Sequence, residues 1–138
     1  MDALKPINSN LYYTDDHEWI DFQGSVAYVG ICDFKLSGFK EIQQIIFVEN
    51  SDLVNRGEVI ASVKYDDYLV FMHMPVEGRI ISFNDVLLTD EKGVLLQQPE
   101  NNGWIALVVP SQLNNRTGLL SAERYKSQST YKGNFNFK

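Results

Sequence analysis

The residues of this chain that could do chemistry stand together in one segment, where Lys64 precedes the acidic pair Asp66 and Asp67. An exposed amine can carry a covalently attached group, and two carboxylates could serve acid–base catalysis or calcium binding. Adjacent turn residues point apart, however, and calcium needs about six to eight oxygen ligands from spaced positions. Aspartate is favoured in turns because its side chain bonds to the nearby backbone. We therefore interpret the acidic pair as a solvated turn without a catalytic role.

The other reactive residue types form no catalytic pattern. His17 and His73 have no neighbouring cysteine and lack the His-x-x-x-His spacing of a zinc site. Ser62 and Ser111 have neither a base nor a nucleophile-elbow sequence near them. The single cysteine, Cys32, is expected to be a small buried thiol rather than a nucleophile. An independent enzyme is therefore the least supported hypothesis.

The composition predicts one globular domain with an acidic surface. The chain has 138 residues, of which 44% are hydrophobic and 12% aromatic, and a formal net charge of -6. A chain of this length can bury a core of its own. Net negative charge opposes phosphate binding, so nucleic acid is excluded as the favoured partner class. The same acidity is compatible with docking to basic protein surfaces.

The sequence indicates neither a membrane span nor a secretory signal. No apolar run approaches the roughly 18 residues of a membrane-spanning helix. The first residues, MDALKP, lack a basic segment followed by an apolar stretch. One cysteine can form no internal disulfide, which agrees with a reducing compartment. We therefore expect a cytoplasmic protein that does not enter the membrane.

The elements that must position the acidic turn are predicted to be β-strands. Runs rich in valine, isoleucine and aromatic residues, separated by glycine, asparagine or aspartate, dominate from Tyr12 to Val109. Short peripheral helices are predicted over 34–39, with Asp33 as the N-terminal cap, and near the C-terminus over 119–125. The fold class is therefore mainly β.

The acidic turn is predicted to be the tip of a hairpin. In the first strand the odd-numbered residues from Val59 to Tyr65 should face the core, whereas Lys64 points away. The second strand, 68–74, is apolar on both faces, as is typical of a strand between two layers. A Pro-x-x-Gly sequence at 75–78 then turns the chain onward.

These sequences together resemble the H protein of the glycine cleavage system, from about Tyr12 to Tyr125. The resemblance is specific because several short sequences occur in the family's order. They are YTDDHEW at 13–19, VGICDF at 29–34, FVE at 47–49, GEV at 57–59, PVEG at 75–78, NDVL at 84–87, NGW at 102–104 and AERY at 122–125.

The resemblance implies a fold and a type of activity. The fold would be a barrel-sandwich hybrid of the lipoyl- and biotinyl-carrier type, with short peripheral helices that include a C-terminal one. In this family a lysine at the hairpin tip carries lipoate, and the lipoyl arm shuttles an aminomethyl group between the enzymes of glycine cleavage. The H protein is then a carrier with no catalytic constellation of its own, and the tether raises the effective concentration of its cargo.

The resemblance breaks at the hairpin tip. Counted without gaps from Gly57 or back from Pro75, the position of the family's lipoyl-lysine falls on Asp67. A carboxylate cannot form the amide that attaches lipoate. The family's small flanking residues are also missing, because Tyr68 and Leu69 take their place. The resemblance therefore implies an unmodified tip and no cofactor.

Lys64 is the alternative site for covalent lipoate. Ser62-Val63-Lys64 imitates the family's Ser-Val-Lys sequence, but aligning the two needs a shift along the hairpin. Such a shift would place the lysine within a strand rather than on the exposed turn. Because strand register is fixed wherever one face is buried, the ungapped alignment is favoured.

Two functional hypotheses remain. The first is a non-lipoylated H-like protein that acts as a binding or adaptor module, with glycine-cleavage or lipoate-handling enzymes as its protein partners. The second is a functional lipoyl carrier, modified on Lys64, that shuttles the aminomethyl group in glycine decarboxylation. In both, residues 12–125 form the domain, 1–11 an N-terminal extension and 126–138 a mobile basic tail.

Overall fold

The computed structural model describes residues 11–49 and 52–128 and arranges them in two antiparallel β-sheets. The seven strands of the larger sheet are β1 (Leu11–Tyr13), β2 (Glu18–Gln23), β3 (Val26–Ile31), β5 (Leu53–Val54), β8 (Gly78–Phe83), β9 (Ala106–Pro110) and β10 (Leu120–Ser121). They lie in the order β10-β1-β2-β3-β9-β8-β5. The prediction of a mainly β fold is confirmed.

The smaller sheet contains the predicted hairpin. Its three strands are β4 (Gln44–Phe47), β6 (Val59–Tyr65) and β7 (Tyr68–His73). They lie in the sheet in that order, with β6 in the middle. β6 and β7 pair from Val59 opposite His73 up to Tyr65 opposite Tyr68, which leaves Asp66 and Asp67 in the turn. The hairpin and its turn are confirmed.

The face of β6 differs from the prediction at its first residue. A β-bulge shifts the pairing between Val59 and Ala61, so that Ile60 and Ala61 are both buried. Val59 is 39% exposed instead of facing the core. Beyond the bulge the alternation holds, since Val63 is buried and Lys64 is exposed. An extra residue in one strand reverses the facing of everything on one side of it, which no period-two pattern anticipates.

The prediction that the second hairpin strand lies between two layers is wrong. β7 is at the edge of its sheet and pairs with β6 alone among the described strands. Tyr68, Leu69 and Phe71 are consequently 63%, 53% and 44% exposed, whereas Met72 is buried. The strand is apolar on both faces but only one of them reaches the core.

The main core lies between the sheets and is built from aliphatic side chains. Members from the large sheet include Ile20, Val29 and Val108, and members from the small sheet include Ile45 and Val63, all of them buried. A second cluster forms around Trp19, whose ring lies against Gly30 on the neighbouring strand. A Cβ atom at Gly30 would stand 2.5 Å from that ring, so only glycine fits there.

Short helices connect the strands. A 3-10 helix spans Asp33–Leu36, and Cys32, not Asp33, occupies its N-terminal cap without a side-chain hydrogen bond. A second 3-10 helix spans Asp85–Leu88, where Asn84 accepts a hydrogen bond from the amide of Val86. Helix α1 spans Val94–Gln97. The predicted helix over 34–39 is therefore shorter than expected and is not capped by Asp33.

The C-terminal helix, α2, covers 122–128 of the described residues. It begins later than predicted because Leu120 is drawn into β10, where it pairs with Tyr13 of β1. Lys126, the first residue of the predicted mobile tail, lies inside this helix. Residues 127 and 128 of that predicted tail lie in the helix too, whereas 129–138 and most of the predicted N-terminal extension lie outside the described residues. Within the described ranges, no helix is both long enough and apolar enough to cross a bilayer.

Candidate functional site

The apex of the β6–β7 hairpin carries two exposed carboxylates. Asp66 and Asp67 occupy the turn between Tyr65 and Tyr68, and both side chains are exposed. Asp66 has a φ of 52°, a left-handed conformation that aspartate tolerates better than most residues. Its carboxylate accepts a weak, exposed hydrogen bond of 3.5 Å from the side-chain amide of Gln43. The turn is therefore solvated and acidic, as the sequence predicted.

Lys64 lies in strand β6 and not in the turn. It is paired with Gln44 of β4 on one side and with Leu69 of β7 on the other. Its side chain is exposed on the outer face of the small sheet. The amine is thus open to solvent, but it rises from the middle strand of the sheet.

Three aromatic rings pack beside the apex. Phe39 lies 5.6 Å from the ring of Tyr65 and 6.2 Å from the ring of Tyr68, measured between centroids. Tyr65 and Tyr68 stack with an interplanar angle of 9°. This aromatic cluster joins the apex to the segment that precedes β4, so bulky side chains flank the tip.

At the opposite end of the hairpin, His73 enters a cluster of charged groups that the sequence did not reveal. The Glu18 carboxylate accepts a hydrogen bond of 2.7 Å from the backbone amide of His73, and His73 Nδ1 lies 2.9 Å from the same oxygen. His73 Nδ1 is also 2.7 Å from a carboxylate oxygen of Asp16. Lys35 Nζ lies 2.7 Å from Asp16 and 2.9 Å from Glu18.

The two carboxylates of this charged cluster respond differently to their surroundings. Burial dominates at Glu18 and raises its pKa, against the opposing effects of Lys35 and of the His73 amide. Burial also acts to raise the pKa of Asp16, but the hydrogen bond and charge of Lys35, with His73, outweigh it and leave that pKa below its usual range. Desolvation is the largest single contribution at Asp16, but this residue is half exposed, and the combined effects of Lys35 and His73 exceed it.

The contacts within the charged cluster favour ion pairing among its residues over the binding of a metal ion. Asp16, Glu18 and His73 offer three ligand atoms within 4.8 Å of one another. The Lys35 ammonium, however, already lies against both carboxylates. A metal ion would have to displace it. The arrangement supplies internal charge compensation for the buried Glu18, which is 1% exposed.

The second histidine and the cysteine take structural positions. His17 Nδ1 lies 2.7 Å from the Tyr125 hydroxyl of α2, and its ring packs 4.4 Å from that of Phe34. His17 therefore takes part in packing and in a hydrogen bond with the C-terminal helix. Cys32 is buried, as predicted, and burial raises the pKa of its thiol.

The structure therefore separates the predicted site residues from the polar group that sequence reasoning missed. Asp67 and Lys64 lie at and near the apex, whereas the charged cluster lies at the base of the same hairpin. Glu18 and His73 are 55 residues apart in the chain. Only the predicted hairpin, which places His73 at a strand end, could have hinted at such a contact.

Comparison with known proteins gives consistent matches over most of the chain. The family model for the glycine cleavage H-protein matches residues 11–132. A glycine cleavage system H protein of Bacteroides fragilis is 30% identical over 121 residues, covering 86% of this chain and 93% of the relative. A glycine cleavage system H protein of Thermoanaerobacter pseudethanolicus is 29% identical over 116 residues, covering 84% of this chain and 90% of the relative.

A solved structure agrees with the sequence matches. The crystal structure of a glycine cleavage system H protein from Mycobacterium marinum superposes with a TM-score of 0.76 at 25% sequence identity. The match covers 90% of this chain and 99% of that one. The barrel-sandwich fold implied by the sequence resemblance is thereby confirmed.

Proposed function

The chain belongs to the glycine cleavage H-protein family, and on that premise we propose that it is a non-lipoylated member acting as a binding or adaptor module. The family consists of carrier proteins and not of catalysts. The observation that carries the proposal is the chemistry of the hairpin apex, where Asp66 and Asp67 present carboxylates to solvent. An adaptor keeps the family's scaffold and its capacity to contact other proteins without carrying a cofactor.

Lipoate does not fit this apex. Its attachment requires an amide to a lysine amine, and neither turn residue has one. The neighbouring Tyr65 and Tyr68 add bulk where a modifying ligase would have to approach, and Phe39 packs against both rings. The chemical and the steric requirement for modification are therefore both unmet at the turn.

The partners of such an adaptor would be enzymes of glycine cleavage or of lipoate handling, and its compartment the cytoplasm. Support for protein partners comes from the family itself, since carriers work by docking to enzymes in turn. The acidic surface, with a formal net charge of -6, favours partners with basic surfaces. Capture of such enzymes from native cell extract, by the full chain used as bait, is the expected result.

A lipoyl carrier modified on Lys64 is the second candidate. The observation in its favour is the exposure of the Lys64 side chain, close in sequence to the apex. Against it stands the position of that lysine within β6, between Gln44 and Leu69. Modifying enzymes approach a protruding turn more easily than the middle strand of a sheet.

Co-expression with a lipoate ligase, followed by intact-mass measurement, tests the proposal. We expect the full chain to keep its unmodified mass. A lipoyl adduct that disappears in Lys64→Ala and persists in Asp67→Ala would overturn the proposal and establish the carrier function.

Two controls make an unmodified mass informative. A family member with a lysine at its tip, expressed in parallel, must acquire the lipoyl group and so shows that the ligase is active. The variant Asp67→Lys combined with Tyr68→Ala restores an amine and a small neighbour at the apex. We expect this variant to gain an adduct, because the scaffold around the turn is that of the family.

A further inference from the structure

The free edge of β7 combines exposed apolar side chains with unpaired backbone. β7 borders the small sheet, and none of the other described strands pairs with its outer edge. Leu69 and Phe71, which point to the outer face of the sheet, are about half exposed. An exposed apolar edge strand is a ready template for pairing with another strand. This edge is therefore a candidate site for pairing with a further strand.

The alternating direction of backbone amides along a strand identifies which groups of β7 face this edge. Residues of an antiparallel strand alternate in pointing their amides toward one neighbour and then the other. The His73 amide points away from β6, since it donates to Glu18, whereas the next amide, that of Met74, donates to Glu58 beyond the start of β6. The amides and carbonyls of Leu69 and Phe71 must then point to the free edge, as the His73 amide does. The His73 amide already donates its hydrogen bond to Glu18.

We propose that this edge pairs with the β7 edge of a second copy of the chain, antiparallel and centred on Val70. This assignment does not depend on whether the hairpin carries lipoate. Under a two-fold axis at Val70, Leu69 of each copy stands opposite Phe71 of the other. Leu69 and Phe71 then exchange all of their edge hydrogen bonds across the axis. Centring the pairing on Leu69 would set Phe71 against Asp67 of the turn, and centring it on Phe71 would set Leu69 against His73, whose amide is taken.

The side chains are also complementary in this register. Leu69 and Phe71 of the two copies form cross-strand pairs on the outer face, and such aliphatic–aromatic pairs stabilise sheets. Phe71 is paired with Ser62 of β6, which is in turn paired with Ile46 of β4. Ile46 is exposed as well, so each small sheet carries a further apolar side chain in this row, on the far side of Ser62. At the ends of the pairing, Asp67 of one copy meets the His73 imidazole of the other.

A contact limited to one strand per copy is small. Interfaces below about 1,200 Å² are typical of weak or transient association. The dimer should therefore form at high micromolar concentration and dissociate on dilution. Sedimentation analysis of the full chain should show a mass approaching twice 15.8 kDa at the upper end of that range.

A disulfide at the two-fold axis tests the register. Directly opposed residues of a non-hydrogen-bonded pair have Cα atoms about 4.5 Å apart, within the range of a disulfide. Val70→Cys, oxidised with glutathione disulfide so that the two thiol hydrogens pass to glutathione, should give a covalent dimer. Leu69→Cys is the matched control. In this register the Cα atoms of residue 69 in the two copies are farther apart than the roughly 7 Å that a disulfide allows.

Greater cross-linking of Val70→Cys than of the more exposed Leu69→Cys would support the pairing. Equal or absent cross-linking at both sites would overturn it, and so would a chain that stays monomeric at every concentration. Phe71→Lys provides a second measurement. It should lower the association constant by roughly tenfold or more, since two buried rings are lost per dimer. A dimer unaffected by Phe71→Lys, in a variant with unchanged thermal stability, would place the contact elsewhere and overturn the proposal.

Discussion

The carboxylate of Glu18 accepts a hydrogen bond from the backbone amide of His73, at 2.7 Å, and so joins the first residue of β2 to the last residue of β7. The two residues belong to different sheets. Glu18 is buried, and Lys35 compensates its charge from 2.9 Å away. While these partners remain, burying the carboxylate costs little free energy of folding. Its removal is strongly destabilising, because the partners stay buried without it.

Replacement of Glu18 should therefore be strongly destabilising. Glu18→Ala leaves the His73 amide without its acceptor and removes one of the two carboxylates that pair with the largely buried Lys35 ammonium. We expect a loss of about 3–5 kcal/mol in the free energy of unfolding. Glu18→Gln keeps an oxygen for the His73 amide and should lose less. Urea denaturation measures both. Equal losses in the two variants would show that the hydrogen bond to the amide contributes nothing.

Gly30→Ala should disturb the second core cluster. The added Cβ would stand 2.5 Å from the ring of Trp19, so either the ring or the strand must move. Overpacking of this kind costs about 1–3 kcal/mol. Thermal unfolding followed by tryptophan fluorescence reports on both the stability and the ring. Gly93→Ala is the matched control, because a Cβ there meets nothing within 4 Å, and its melting temperature should stay within a few degrees of the parent.

The left-handed conformation of Asp66 should determine which substitutions the turn accepts. Asp66→Val places a β-branched residue at a φ of 52° and should cost about 1–3 kcal/mol. Asp66→Gly should be neutral or stabilising, since glycine adopts this conformation without strain. Asp67→Val is the comparison, because Asp67 is not among the described residues with positive φ. If chemical denaturation shows equal losses for Asp66→Val and Asp67→Val, backbone strain is not the cause.

The Cys32 thiol should be unreactive in the folded protein. It is buried, and burial raises its pKa, so the thiolate is scarce even in mildly alkaline buffer. Ellman's reagent should modify it only after denaturation. Because the folded pKa exceeds the unfolded value, the contribution of the protonated thiol to stability is complete below about pH 8.5 and declines as pH rises above it. Cys32→Ala should remove that part of the alkaline decline, and rapid labelling of the native protein would contradict the assignment.

Local sequence signals were sufficient for the hairpin and its turn. Gly57, the acidic pair and Pro75 mark the ends and the tip without reference to the rest of the chain, and the structure places the turn where they indicate. Which side chains face the core and which face solvent was harder to predict from the sequence. The bulge beside Ile60 adds one residue to a regular alternation, and the exposure of Phe71 follows from the position of β7 at a sheet edge, which depends on topology.

The charged cluster could not be found from spacing. Lys35 and Glu18 are 17 residues apart, and Glu18 and His73 are 55 apart, so no local motif contains them. Their meeting depends on the way in which the two sheets are stacked. Asp67, by contrast, was identified from the order of short sequences along the chain, because its position is fixed by the hairpin alone.

The aromatic packing of Phe39 with Tyr65 and Tyr68 gives the hairpin a second point of support, since Glu18 already fixes its other end. We expect a hairpin held by contacts at both ends to be rigid and not to move about its base. Any molecule that binds along it meets a surface whose shape is already set. Binding then forfeits little chain entropy, and recognition depends on how well the incoming surface matches this fixed contour.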